Sequence, residues 1–137
     1  MDREAFVDNL NEDLETEFQS IVQYVQHIAS VKGAAYLSTL DELAKHIEQE
    51  LQHALTLARQ IDFLGGVPST RVPEITPLTE ARAALTADLE LEERQLERYR
   101  ERTAQAEELD LPDVAESLAP LLEQTQEHAR DLRAALG

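Results

Sequence analysis

The chain has 137 residues, 42% hydrophobic and 29% charged, which fits one folded domain over the whole length with an ordinary core and argues against disorder. A net charge of −16 leaves no basic patch for nucleic-acid phosphates, and polar helix faces this acidic do not suit a membrane surface. With no cysteine, disulfides, zinc–thiolate sites, iron–sulfur clusters and thiol catalysis are excluded. The opening Met1-Asp2-Arg3-Glu4-Ala5-Phe6 lacks the form of a signal peptide, and no run reaches membrane-spanning length, so a cytoplasmic protein is expected.

Phe6, Leu10, Leu14, Ile21, Val25 and Ile28 recur at helical steps and predict a first amphipathic helix from about Asp2 to Lys32, stopped by Gly33. Leu43, Ile47, Ala54, Leu57 and Ile61 mark a second helix, ended by Gly65-Gly66 after Leu64. From Gly65 to Pro77 there is little helical pattern, and Pro68, Pro73 and Pro77 make this the one long linker. Thr76 is placed to cap a third helix with Pro77 at its first position, and Leu85, Leu89, Leu96 and Tyr99 follow as its stripe. Asp110-Leu111-Pro112-Asp113 reads as a tight turn whose Asp110 caps a fourth helix lined by Val114, Leu118, Leu121 and Leu132. No internal repeat is visible by direct identity. A helix of about thirty residues is ~45 Å long, and about thirteen extended residues reach ~45 Å. The linker is therefore long enough to cross the bundle end to end. The expected fold is all-α: an up-down-down-up four-helix bundle with one long crossover between the second and third helices.

Acidic and imidazole residues interrupt the apolar stripes. Glu17 falls between Leu14 and Ile21, with Tyr24 two turns further along the same face. Glu50 and His53 share a face one turn apart. Glu92 falls between Leu89 and Leu96, and His128 between Leu121 and Leu132. Any one of these alone is as readily explained by a rotated helix, and a lone Glu-x-x-His is a weak signal. One inward polar position on each of four helices points instead to a shared metal centre. Three carboxylates held together repel, and at least one stays protonated unless a cation compensates. Carboxylates with imidazoles and no thiolate suit iron, manganese or zinc.

The segments around these residues resemble a known family. Leu10-Asn11-Glu12-Asp13-Leu14-Glu15-Thr16-Glu17, followed by Gln23-Tyr24-Val25-Gln26-His27, is similar to the first-helix signature of bacterioferritin-type members of the ferritin-like superfamily. Glu50-Leu51-Gln52-His53 and Phe63-Leu64-Gly65-Gly66-Val67-Pro68 resemble the second helix and its exit. Asp88-Leu89-Glu90-Leu91-Glu92 resembles the third-helix ligand segment, and Gln126-Glu127-His128 the end of the fourth. The resemblance implies a di-iron carboxylate centre. Glu17 would be a terminal ligand to one metal and Glu92 to the other, Glu50 would bridge, and His53 and His128 would each cap one metal. Tyr24 would stand nearby as a donor of an electron or a hydrogen bond. The implied activity is Fe(II) oxidation by dioxygen or peroxide, with manganese or zinc as other occupants.

Three departures from the family pattern shape the expectation. The pattern has Glu three residues before His128, where this chain has Thr125; Gln124 and Glu127 are neighbours, and Glu127 lies off the stripe. One tight and one weak metal position are expected. Met1 is the sole methionine and Leu51 stands where the family holds its haem, so no haem is expected. Only nine residues follow His128 (137 − 128), too few for the short fifth helix of cage ferritins. A homodimer is expected, with Val22, Ala29 and Tyr36 supplying part of its surface. His27 and His46 are expected as hydrogen-bonded or surface histidines, and Arg94, Arg98, Arg100 and Arg102 as a solvated ion-pair face. The rival to an iron oxidase is a non-enzymatic bundle with a degenerate single-metal or empty site. A third reading is substrate oxygenation.

Overall fold

The computed structural model describes residues 1–137, and they form helices joined by loops, without strands. Helix α1 spans Arg3–Ser30, and a 3₁₀ turn at Ala34–Tyr36 leads into α2 (Leu37–Phe63). Helix α3 spans Ala81–Glu108, while α4 (Pro112–Ser117) and α5 (Ala119–Leu136) together make the fourth rod. Helix α1 packs on α2, α3 packs on α4 and α5, and α1 meets α3 across the middle. This is the expected four-helix bundle, and its ends show how the sequence builds it.

Asp2 caps α1, its Oδ1 accepting from the Ala5 amide at 2.7 Å. At the far end of α2 the Gly66 amide donates to the Ile61 carbonyl at 2.9 Å, with Gly65 at φ 88°. That left-handed turn suits glycine and closes the helix. A Cβ on Gly66 would stand 2.5 Å from Val7 Cγ1, so the exit also needs a bare backbone where it passes α1.

The linker then climbs along α1. Asn11 accepts from the Ser69 amide at 2.8 Å, Glu15 takes the Ser69 hydroxyl and Arg71, both at 2.8 Å, and Gln26 brackets Leu78 with bonds of 2.9 and 3.0 Å. This path from Asn11 to Gln26 carries the chain to the other end of the bundle, so α2 and α3 run parallel.

The expected cap at Thr76 is corrected by this tether. Gln26 holds Leu78 out of the helix by both its N–H and its C=O, and α3 begins only at Ala81, with Glu80 Oε2 accepting from the Ala83 amide at 2.5 Å. The expected role of Asp110 is corrected too. Asp110 sits at φ 58°, and the Leu111 amide reaches back to the Ala106 carbonyl at 2.9 Å. Asp110 thus terminates α3 in the left-handed conformation that short polar residues tolerate. Pro120 explains why the fourth rod breaks at Leu118: it has no N–H to give and cannot sit inside a continuous helix.

The core has two apolar ends. One gathers Phe6, Leu10, Leu57, Ile61, Val114 and Leu118, and the other Leu43, Leu85 and Leu132 around Tyr24. Val25, assigned to the inward stripe from its spacing, is 55% exposed; the inward face of α1 instead runs through Glu17, Ser20, Tyr24 and His27.

The arginine cluster is also partly corrected. Arg102 is buried at 4% exposure against Asp13 at 0%, with Nε and Nη2 bonds of 2.9 and 3.2 Å. Burial pushes the Asp13 carboxyl up to about 7 against the pull of Arg102. Arg102→Met should cost about 3 kcal/mol of stability at pH 8, because it strands a buried carboxylate. The sign of the pH effect follows from the raised folded-state pKa. The folded chain holds the Asp13 proton more tightly than the unfolded chain, so Asp13 lowers stability as pH rises from about 4 to about 7. Without Arg102 that loss extends to higher pH. Urea melts should therefore show the Arg102→Met deficit shrinking toward pH 5; a deficit independent of pH would contradict the buried pair.

Candidate functional site

Between the two apolar ends lies a buried polar layer. Glu17 comes from α1, Glu50 and His53 from α2, Glu92 from α3, and Thr125 and His128 from α5; each is at most 2% exposed. The structure brings together all five ligand candidates named from sequence. Candidate ligand atoms of Glu17, Glu50 and His53 lie within 4.8 Å of one another, and so do those of Glu50, Glu92 and His128. Glu50 belongs to both groups.

The imidazoles are turned alike. His53 Nδ1 stands 3.6 Å from Glu17 and 3.5 Å from Glu50, while its Nε2 meets Gln124 Oε1 at 2.8 Å. His128 Nδ1 stands 2.9 Å from Glu50 and 3.5 Å from Glu92, while its Nε2 meets Gln49 Oε1 at 2.5 Å. A glutamine oxygen only accepts, so each Nε2 donates and each Nδ1 faces the carboxylates. Two tyrosines hold the outer acids. The Tyr24 hydroxyl donates to Glu92 Oε1 at 2.5 Å, and the Tyr99 hydroxyl donates to Glu17 Oε1. Gln95 adds a bond to Glu17 at 3.0 Å.

These contacts come in pairs separated by one constant step. The differences 92 − 17, 99 − 24, 128 − 53 and 124 − 49 are all 75. Asp13 and Asp88 follow the same step, and their buried cationic or imidazole partners, Arg102 and His27, correspond to one another. The repeat not visible by identity along the chain is therefore present as a duplicated helix pair. Glu50 has Thr125 as its counterpart (125 − 50), so the one chemical asymmetry falls at the shared position.

The electrostatics follow from the burial. Burial pushes the Glu50 carboxyl well up, and the Glu17 and Glu92 carboxylates push it further. Burial also pushes Glu17 up, but hydrogen bonds with Glu50, His53 and Tyr99 outweigh it and hold that carboxyl low. Glu92 is held low in the same way, by His128 and Glu50. Burial and the neighbouring carboxylates raise both tyrosines well above 10, so each remains a donor. Without a cation the layer is thus two carboxylates around a protonated third.

Several polar atoms have no partner: Glu17 Oε2, His53 Nδ1 and the Thr125 hydroxyl. Buried polar groups are ordinarily satisfied. Bare oxygen and nitrogen donors, Glu17 Oε2 and His53 Nδ1 on residues of one ligand group, fit a hard or borderline divalent cation. His27 and His46, expected as ordinary histidines, are both buried. His27 bonds Asp88 at 2.8 Å, and His46 stacks on His128 with centroids 3.9 Å apart. The sequence marks Tyr99 only as a stripe residue and Gln124 only as a neighbour of Thr125, and it singles out neither Gln49 nor Gln95, although the 75-residue step points to Tyr99 from Tyr24.

Glu, Glu-x-x-His, Glu and His turned inward from four helices define a bundle of the carboxylate–histidine class. The chain belongs to the ferritin-like domain family, whose pattern matches residues 7–137. A bacterial ferritin of Pseudomonas aeruginosa is 35% identical over 86 residues, 63% of this chain and 56% of that protein. The match thus spans little more than half of that relative. Among solved structures, a ferritin-like diiron-carboxylate protein of Bacillus anthracis superimposes with TM-score 0.93 at 27% identity, covering 100% of both chains. A dodecameric thioferritin of Bacteroides fragilis superimposes with TM-score 0.85 at 25% identity, over 99% of this chain and 86% of that one.

Proposed function

We propose that this chain handles iron: it takes up Fe(II) between α1, α2, α3 and α5 and oxidises it with dioxygen or peroxide. Glu17 and His53 would hold one metal, Glu92 and His128 the other, with Glu50 shared. The observation that carries this reading is the pair of Nδ1 atoms, each set against two carboxylates while a glutamine fixes its Nε2. Bound iron would supply the redox chemistry. The chain's own residues hold the donors dry, fix both imidazole tautomers, and keep the Tyr24 proton at Glu92 and the Tyr99 proton at Glu17. Manganese or zinc would suit the same donors. No haem is proposed, because Leu51 is half-exposed and offers no donor atom.

Anomalous scattering at the iron edge, from protein purified without added metal, tests the proposal. Two peaks between the helices would support it. One peak or none would favour the alternative, a non-enzymatic bundle with a degenerate site. Thr125 supports that alternative, since its buried hydroxyl stands where a second shared carboxylate would complete the repeat.

The glutamines give a separate expectation. Gln124→Leu should weaken the metal position at His53, and Gln49→Leu the one at His128, each by about 10-fold to 100-fold. Calorimetry would read this, and unchanged affinities would show that the tautomers need no holding.

We also propose a homodimer formed through the outer faces of α1 and α2. Val22, Val25, Leu51 and Leu55 are 45%, 55%, 51% and 39% exposed there. Ala29, on the same outer face, is exposed and Tyr36 half-buried. Light scattering should give about twice the 15.4 kDa chain mass; a much larger particle would overturn the dimer. The chain has no helix long and apolar enough to cross a membrane.

A further inference from the structure

Helix α2 carries a second imidazole one turn before Glu50. His46 is 3% exposed and lies on the floor of a cleft of about 360 Å³ that opens between the start of α2 and the end of α5. Glu42 and Asp131 stand at its mouth, their side chains 47% and 46% exposed. Candidate ligand atoms of Glu42, His46 and Asp131 all lie within 4.8 Å of one another.

The ordinary account of a buried histidine is packing plus a satisfied ring, and His46 meets it poorly. Its only polar partner is the half-exposed Asp131, at a long 3.3 Å, and its Nδ1 has none. Packing does not ask for an imidazole either. The 75-residue step pairs His46 with Leu121 (121 − 46), an apolar core residue. His46 therefore stands outside the duplicated layer and is unexplained by it. Glu42 is engaged only by Lys45 at 3.1 Å, an exposed pair of small energy that an incoming cation would displace.

We infer that Glu42, His46 and Asp131 form a separate surface site for a divalent cation of the Fe(II), Mn(II), Co(II) or Zn(II) kind. One imidazole and two carboxylates suit these borderline metals. Bonds of about 2.0–2.2 Å require the donors to close slightly, which two half-exposed carboxylates on rotatable stems allow. The ring of His46 lies 3.9 Å from that of His128. The histidine of this site is thus in direct ring contact with an imidazole of the inner layer. This last point rests on the proposed inner site, whereas the surface site itself does not.

Co(II) serves as the probe, read by calorimetry and by anomalous diffraction at the cobalt edge. The double variant Glu42→Gln/Asp131→Asn, altered only at exposed positions, should bind one Co(II) fewer per chain than the unmodified protein and lose the peak beside His46. His46→Leu, which copies the apolar counterpart, should fold and lose the same ion. In Glu50→Ala, which removes the shared inner carboxylate, the outer Co(II) should remain, and it should vanish when Glu42→Gln/Asp131→Asn is added. Should Glu50→Ala not fold, the comparison in the unmodified background decides alone. Equal Co(II) stoichiometry with and without Glu42→Gln/Asp131→Asn would overturn the surface site. Inner peaks that survive Glu50→Ala would instead overturn the inner reading and leave the surface site standing.

Discussion

Saturating Fe(II) or Mn(II) should raise the melting midpoint of this protein by on the order of 10 °C over the chelated form. The size follows from linkage. A ligand that binds only the folded chain stabilises it by about 2.7 kcal/mol at a hundred times its dissociation constant. In an average domain of this size each kcal/mol shifts the midpoint by roughly 3–4 °C. The reason to expect such binding is the layer of Glu17, Glu50 and Glu92, all at most 2% exposed. Without a cation, three acids share one region of low dielectric, and the chain answers by keeping Glu50 protonated. Glu17 Oε2 and His53 Nδ1, which have no hydrogen-bond partner, would hold a bound cation, and its charge would take the place of the Glu50 proton. Glu50→Gln removes one acid from the metal-free layer, so it should raise the chelated midpoint and shrink the gain from metal. Equal midpoints with and without saturating metal would count against a buried site.

The inward acids were readable because helical spacing is a strict ruler. Glu17, Glu50, Glu92 and His128 sit where an apolar residue is due, and only a compensating partner makes that tolerable. The same ruler failed for Val25, because the spacing of a single helix does not say how wide its buried face is. It failed again for Gln49, Gln124 and Arg102, residue types that usually mark a wet face. Their inward contacts depend on a second helix supplying the partner: His128 for the half-buried Gln49, His53 for the half-buried Gln124, Asp13 for the buried Arg102. The start of α3 at Ala81 has a similar cause. Thr76 and Pro77 have the right local chemistry, but Gln26, 52 residues away along the chain, holds Leu78 in an extended tether. Asp110 was legible as a turn residue but not as the end of α3, since a left-handed φ is a property of the fold around it. The duplicated step carries the rest of the signal in the sequence: it pairs Tyr24 with Tyr99 and leaves Thr125 as the odd member.

Thr125→Glu should therefore have two effects of opposite sign. In the metal-free protein it adds a fourth acid to a layer that already protonates one, so the chelated midpoint should fall. In the metal-bound protein it supplies the shared carboxylate that the repeat lacks. Thr125 is fully buried and its hydroxyl has no partner, so its replacement breaks no hydrogen bond, although the longer side chain must find room in the layer. A neutral hydroxyl gives one weak donor, whereas a carboxylate offers two oxygens and can join two cations. The unmodified chain should bind one metal tightly and a second weakly, with Glu50 as the only shared ligand. In the variant the weak position should tighten by about tenfold or more, worth roughly 1.4 kcal/mol, and Fe(II) oxidation by dioxygen should accelerate. Calorimetry with Mn(II) or Co(II) separates the two positions, and stopped-flow absorbance with Fe(II) reads the oxidation. Two equally tight inner positions in the unmodified chain would mean that some other group already bridges them. A variant that loses stability in the metal-free form and gains nothing with metal would show that residue 125 does not face the shared point.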